Sequence, residues 1–182
     1  MSKAIADLLN EHEAILSALQ ILERMVGSEE NAAPAAQKDI LDFIGFLKEF
    51  ADKCHHGKEE GLLFPAMIGA GVADRGGPIG AMMGDHDRGR KLIREMEDSV
   101  STQPDREKFA RAAKEYIALL QNHIQKENLV LFPMAERLLS EAQLANLYEG
   151  FEEHEEKVIG HGRHEELHAM LESLQKKYPA IT

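Results

Sequence analysis

An eleven-residue phrase occurs twice in this chain, and it limits the possible folds more than any other feature. Residues 55–65 read HHGKEEGLLFP and residues 123–133 read HIQKENLVLFP. Aligned on Phe-Pro, the copies pair His55 with His123, Lys58 with Lys126, Glu59 with Glu127 and Phe64 with Phe132. Each copy therefore offers His-x-x-x-Glu. On an α-helix of about 3.6 residues per turn, that spacing puts an imidazole and a carboxylate on one face, one turn apart. Two such faces turned towards each other would bring two nitrogens and two oxygens to a buried pair of metal ions.

A further histidine precedes each copy, in Glu11-His12-Glu13 and in Asp85-His86-Asp87. The chain thus reads as two halves, each a helix with one His followed by a helix with His-x-x-x-Glu. His12 falls on the stripe Ile5, Leu8, Leu9, His12, Ile15, Leu16, Leu19, Leu22. His86 falls on Ile79, Met82, Met83, His86, Ile93, Met96, and His123 follows Tyr116, Leu119 and Leu120. The period is helical, and it sets each imidazole where a core side chain belongs.

Breakers divide the helices. Helix 1 is predicted over about 3–26, closed by Gly27 and the polar stretch to Pro34, and helix 2 over about 36–69 with a kink near Pro65. Gly69, Gly71, Gly76, Gly77 and Pro78 make a loop. Helix 3 covers about 79–100, with Ser101-Thr-Gln-Pro104 as its break. Pro104 in a first-turn position, with Asp105 and Glu107, opens helix 4, which runs to about 138. Ser140 and Gln143 have capping-box spacing and open a last helical region to about 178, weakened by Gly150, Gly160 and Gly162. The expected fold is all-α: an antiparallel four-helix bundle over 1–138, with a C-terminal helical extension, 139–182, packed on it.

At 182 residues the chain can bury one substantial core. A formal net charge of -11 argues against nucleic acid or an anionic membrane as partner, because phosphate binding needs basic patches. No apolar run approaches the roughly 20 residues of a membrane span, and Met1-Ser-Lys leads directly into an amphipathic helix, so the expected address is cytoplasmic. The single Cys54 excludes an intramolecular disulfide.

The order His, His-x-x-x-Glu, His, His-x-x-x-Glu on four successive helices, with Leu-Phe-Pro after each paired motif, resembles the hemerythrin-like (HHE cation-binding) domain over roughly residues 5–137. The resemblance implies metal ligands His12, His55, Glu59, His86, His123 and Glu127. It implies a non-haem di-iron centre, carboxylate- and oxo-bridged, with His12 and His55 on one iron and His86 and His123 on the other. Glu59 and Glu127 would bridge. Imidazole with carboxylate suits iron, and manganese or zinc can compete for such a set. Oxygen-carrying members have a fifth histidine one turn after the helix-3 histidine, where this chain has Arg90. Each iron then keeps room for an exogenous ligand, which points to binding of, or reaction with, O2, NO or peroxide in stress response or sensing. Iron storage or delivery, and iron-sulfur repair, are the alternatives. The ligand set permits both binding and oxidoreductase turnover, and it names no protein partner.

Several residues carry a second reading. His56 and Glu60 share the same i, i+4 spacing as His55 and Glu59, although alignment with His123 and Glu127 favours the latter pair. Cys54 reads as a helix-packing residue. Phe64-Pro65 and Phe132-Pro133 read as closing the bundle end. Glu11, Glu13, Asp85 and Asp87 read as a solvated face from which an imidazole N–H could find a partner. His164-Glu165-Glu166-Leu167-His168 has the His-Glu-x-x-His form of zinc proteases, but 169–182 offer no well-placed third ligand. The stripe Leu167, Leu171, Leu174, Tyr178 instead marks a helix packing on the bundle; the alternative is that His161 or His164, carried on the flexible Gly160–Gly162 segment, approaches the iron site or caps its entrance.

Overall fold

The computed structural model describes residues 1–27, 35–101 and 104–179. Pro34, Thr102 and Gln103, which the sequence places in helix breaks, lie outside the described residues. Six helices form. We label them α1 (Lys3–Val26), α2 (37–69), α3 (Pro78–Ser101), α4 (106–138), α5 (141–159) and α6 (Arg163–Lys177). No strand occurs among the described residues.

Caps set most of the ends. The Ser2 hydroxyl accepts the Ile5 amide at the start of α1, and Gly27 closes the helix with φ +77°, a region that disfavours a side chain. At α4 the cap is Asp105, whose carboxylate accepts the Lys108 amide at 3.0 Å. Pro104 therefore precedes the cap instead of occupying the first turn, because an aspartate at that position satisfies an amide that proline cannot. Ser140 and Gln143 form the expected reciprocal capping box. The last helical region splits in two: Gly160 and Gly162 adopt φ +100° and +75°, which no helix propagates.

The two phrases fold alike. Around Glu59–Leu63 and again around Glu127–Leu131 the helix widens, so that the Phe64 and Phe132 amides reach back five residues to the carbonyls of Glu59 and Glu127. The cause is the proline that follows each. Pro65 and Pro133 have no N–H to give to the preceding turn and their rings crowd it, and a wide turn absorbs the misfit without ending the helix. The expected kink is thus a local widening, and it falls on the glutamates. A longer widened stretch, Leu47–His56, lies upstream in α2.

Helices α1 to α4 form a ring in which α1 meets α2 and α4, and α3 meets α2 and α4. The extension lies against α1 and α2. Arg163 clamps Glu49 through two nitrogens at 2.8 and 3.0 Å, and the Tyr178 hydroxyl donates to Asp39 at 2.5 Å. The apolar core is divided. One cluster holds Ile5, Leu8, Leu63, Phe64, Ile79, Met82, Leu131 and Phe132; the other holds Ile15, Leu19, Phe43, Phe50, Ile93, Tyr116 and Leu120. Each fully buried side chain of this size contributes about 1.5–3 kcal/mol. Between the two clusters lies one polar layer, made of the histidines and glutamates of the repeat.

A candidate metal centre between two apolar clusters

The helical stripes deliver His12 from α1, His55 and Glu59 from α2, His86 from α3, and His123 and Glu127 from α4 to that layer. All six are 0–1 % exposed. Their reactive atoms form two overlapping groups in which every candidate ligand atom lies within 4.8 Å of the others. One group is His12, His55, Glu59 and Glu127; the other is His56, Glu59, His86 and His123. His12 and His55 thus fall in one group, and His86 and His123 in the other. Glu59 reaches both sides, with Oε1 3.6 Å from His55 Nε2 and Oε2 3.4 Å from His86 Nε2. Glu127 Oε2 stands 3.2 Å from His12 Nε2 and 3.1 Å from His123 Nε2.

What makes the layer unlike an ordinary polar core is which atoms have partners. At the outer face, His12 Nδ1 meets Asn128 Oδ1 at 2.7 Å, His55 Nδ1 meets Glu11 Oε2 at 2.9 Å, and His86 Nδ1 meets Glu60 Oε1 at 2.7 Å. His123 Nδ1 faces Asp85 at 3.6 Å. At the inner face, His12 Nε2, His55 Nε2 and all four oxygens of Glu59 and Glu127 have no partner of hydrogen-bond geometry. A buried polar atom left unmet costs about 1–3 kcal/mol, so a fold that strands six at one point is shaped for something that satisfies them together. A cation does so: it takes imidazole lone pairs and carboxylate oxygens at once.

The outer partners obey the repeat, which the sequence alone left hidden. Glu60 and Asn128 each follow a glutamate of the layer, and each serves the lone histidine of the opposite half. Glu11 and Asp85 each precede a lone histidine, and each faces the paired histidine of its own half. Phe64 and Phe132 also cross over, stacking on His86 at 5.9 Å and on His12 at 5.2 Å between ring centroids. They pack on imidazoles as well as closing the bundle end. Glu13 and Asp87 are exposed, as read; Asp87 meets Arg90 at 3.3 Å.

Charge is poised around the layer. Burial pushes the Glu11 carboxyl up, but hydrogen bonds and charge from His55 and Lys58 outweigh it and hold it down at about 2. Burial works likewise on Glu127, where His12 and His123 prevail and keep it well below the carboxylate range. Burial lowers His86, and Glu59 and Glu60 overcome it to raise that imidazole to about 9. His56 is the exception: burial, then the neighbouring His86, His55 and His123, drive it well below the ordinary value, so it is neutral.

Lys58 is a residue whose burial sequence reasoning missed. Its ammonium, fully buried, donates to Glu11 at 2.8 Å, to Asp7 at 2.9 Å and to Glu155 at 3.2 Å. Through Glu155 it joins the layer to the extension, because Glu155 also holds His164 Nδ1. His164 meets His168 at 2.9 Å and both pack on Phe50, so the His-Glu-x-x-His phrase is tied into a helix interface. His161 is exposed, and neither it nor His164 is in the metal groups. Cys54 is buried, donates towards Glu11 at 3.7 Å, and has its thiol pKa raised by burial. Arg90 turns away from the layer onto Asp52 at 2.8 Å and Glu60 at 2.6 Å.

The sequence that builds this layer matches a known family. The family model of the hemerythrin HHE cation-binding domain matches residues 3–135. The chain belongs to that family.

Among its relatives is an uncharacterized protein of Mycobacterium tuberculosis, Rv1995, 25% identical over 164 residues, which are 85% of this chain and 62% of that protein. A Mycobacterium bovis protein, also uncharacterized, matches to the same extent. The iron-sulfur cluster repair protein YtfE of Escherichia coli is 33% identical over 110 residues, 56% of this chain and 49% of that protein. The chain thus spans 62% of the length of the mycobacterial relatives and 49% of that of YtfE. No solved structure matches it. Family membership accounts for a cation-binding site in the bundle, and no described helix is long and apolar enough to cross a membrane.

Proposed function

We propose that this HHE-domain chain holds two iron ions, one on His12 and His55 and one on His86 and His123, with Glu59 and Glu127 shared between them. The observation that carries this reading is the inward convergence of the unpartnered Nε2 atoms of His12 and His55 with the four unpartnered oxygens of Glu59 and Glu127. His86 and His123 meet Nε2 to Nε2 at 3.2 Å, and the rings of His12, His55 and His86 are fixed from behind at Nδ1. A carboxylate or amide on Nδ1 fixes the ring's tautomer and orientation and raises its basicity as a ligand. Nitrogen and carboxylate donors in this proportion fit iron. When bound, such a pair supplies redox chemistry towards O2, NO or peroxide, and we assign the chain to binding or reducing one of these.

The chain's own residues do the rest. Glu59 and Glu127 each reach histidines of both halves and would hold both ions. Phe64, Phe132 and the two apolar clusters keep bulk water from the layer, which strengthens every charge interaction within it. Arg90 stands where a fifth imidazole would fill a coordination position in the oxygen carriers. Its guanidinium, bound to Asp52 and Glu60, ligates nothing and braces Glu60 against His86.

The likeness to YtfE supports a second assignment, iron-sulfur cluster repair, for the matched region. One comparison separates the readings: consumption of peroxide or NO by the iron-loaded chain against the same chain stripped of metal, beside reactivation of a damaged iron-sulfur enzyme. We expect metal-dependent consumption. Equal rates with and without metal, together with reactivation, would transfer the assignment to repair. His123→Ala should lose iron and keep its helical circular dichroism; an alanine variant with both ions and the native spectrum would show the ligand assignment to be wrong.

A further inference from the structure

The six candidate ligand positions match residue for residue between the two halves, but three positions beside them differ in kind. In the alignment of the phrases, His56 corresponds to Ile124, and one turn earlier Asp52 corresponds to Leu120. Aligning His12 with His86 makes Arg90 correspond to Leu16. One half therefore carries Leu120 and Ile124, both in the larger apolar cluster, and Leu16, partly buried and packed against it. The other half carries Arg90, Asp52 and His56. The fold fills these positions with hydrocarbon on one side, so packing does not call for the polar trio on the other.

The trio is nonetheless organised. Arg90 Nε holds Asp52 Oδ1 at 2.8 Å, and the same oxygen stands 3.5 Å from His56 Nδ1. His56 is 3 % exposed, and neither of its ring nitrogens has a hydrogen-bond partner. It stacks on His86 at 3.8 Å between centroids and sits edge-on to His123 at 5.6 Å. It falls within the group formed with Glu59, His86 and His123, whose candidate ligand atoms all lie within 4.8 Å. The widened stretch Leu47–His56 lets two successive histidines face inward, His55 to one group and His56 to the other. An imidazole with two unmet nitrogens, aimed at a cation group and backed by an anchored carboxylate, has the form of a ligand.

We propose that His56 is a third imidazole ligand of the ion held by His86 and His123, with Asp52, anchored by Arg90, as the acceptor behind its ring. The proposal rests on the two-iron reading above and alters it: the centre becomes unequal, three imidazoles on one ion and two on the other. The extra ligand enters from α2, beside His55, in place of a position on α3. The free coordination position then belongs to the ion on His12 and His55, and that ion is where a small exogenous ligand binds.

The test uses the full-length chain loaded with iron. Each ligating imidazole keeps one ring N–H, which proton NMR shows as a solvent-exchangeable resonance shifted far outside the normal range by the paramagnetic ions. We expect five such resonances in the wild type and four in His56→Leu. Chelator competition should show one of the two ions in His56→Leu bound about 100-fold more weakly, the top of the range for losing a supporting partner alone. His56→Gly should regain affinity with added imidazole. A metal-free melt controls for folding: without metal, His56→Leu should melt at or above the wild type, because an unmet polar ring has become hydrocarbon. Four resonances in the wild type, with both ions held equally tightly by His56→Leu, would overturn the proposal and leave the six-ligand centre standing. A wild type that takes up no second ion would overturn the two-iron reading beneath it as well.

Discussion

Replacing Lys58 by methionine keeps the aliphatic stem and deletes the ammonium, which isolates the charge from the packing. Three carboxylates lose their common donor. Asp7 and Glu155 are about a quarter exposed at the side chain and can rehydrate, but Glu11 is 4 % exposed and cannot. Stranding one member of a buried ion pair costs about 3–5 kcal/mol. Glu11 keeps its contact to His55 at 2.9 Å, so we take the lower end, about 3 kcal/mol. For a chain of this size each kcal/mol moves the melting temperature by about 2–4 °C, which gives a fall of about 6–12 °C. The assay is thermal denaturation of metal-free protein, followed by circular dichroism. The second half of a double-mutant cycle decides the cause: Glu11→Gln should be markedly less destabilising on the Lys58→Met background than on the wild type, because it removes the stranded charge. A Lys58→Met protein melting within about 2 °C of the wild type, or additive effects of the two substitutions, would refute the buried-charge account.

Two further outcomes follow from outer partners of the layer and from the docking of the extension. Asn128→Ala and Glu60→Ala should each weaken metal binding about 10- to 100-fold, through His12 and His86 respectively, with Asp85→Asn milder because it stands 3.6 Å from His123 Nδ1; chelator competition measures all three. Tyr178→Phe should cost about 1 kcal/mol at neutral pH by removing a hydrogen bond to Asp39. Hydrogen bonds from Lys177 and Tyr178 lower the Asp39 pKa in the folded chain, so their contribution is complete above the ordinary aspartate value, about 3.9, and is lost as pH falls through the depressed one. Denaturant titrations from pH 7 to 3 should show the wild type losing this advantage over Asp39→Asn in the acid part of that range.

The repeat, the helical stripes and the caps made much of this molecule legible beforehand. Four bundle helices, their order and the six inward residues could be read because His-x-x-x-Glu and the apolar stripes share the helical period. The extension's division was foreshadowed by Gly160 and Gly162. Three things were harder. An α-helical reading sets neighbours about 100° apart, so choosing His55 discards His56; the widened α2 admits both. The outer partners cross between halves, and a linear alignment does not show that Glu60 faces His86 or that Asn128 faces His12. Lys58 looks like its exposed counterpart Lys126, and only the docked extension, with Glu155, encloses it. The signal that could have found it is the paired spacing itself: Lys126 meets Asp85 at 2.8 Å as Lys58 meets Glu11.

Metal analysis of the chain purified from iron-sufficient cells, with its visible spectrum, tests the central claim most directly. The account predicts about two irons per chain, ligand-to-iron charge-transfer absorption in the oxidised protein, and loss of both on His123→Ala, as expected for a nitrogen and carboxylate donor set. Reproducible stoichiometric zinc without iron, or a chain that stays metal-free with its buried carboxylates intact, would contradict it.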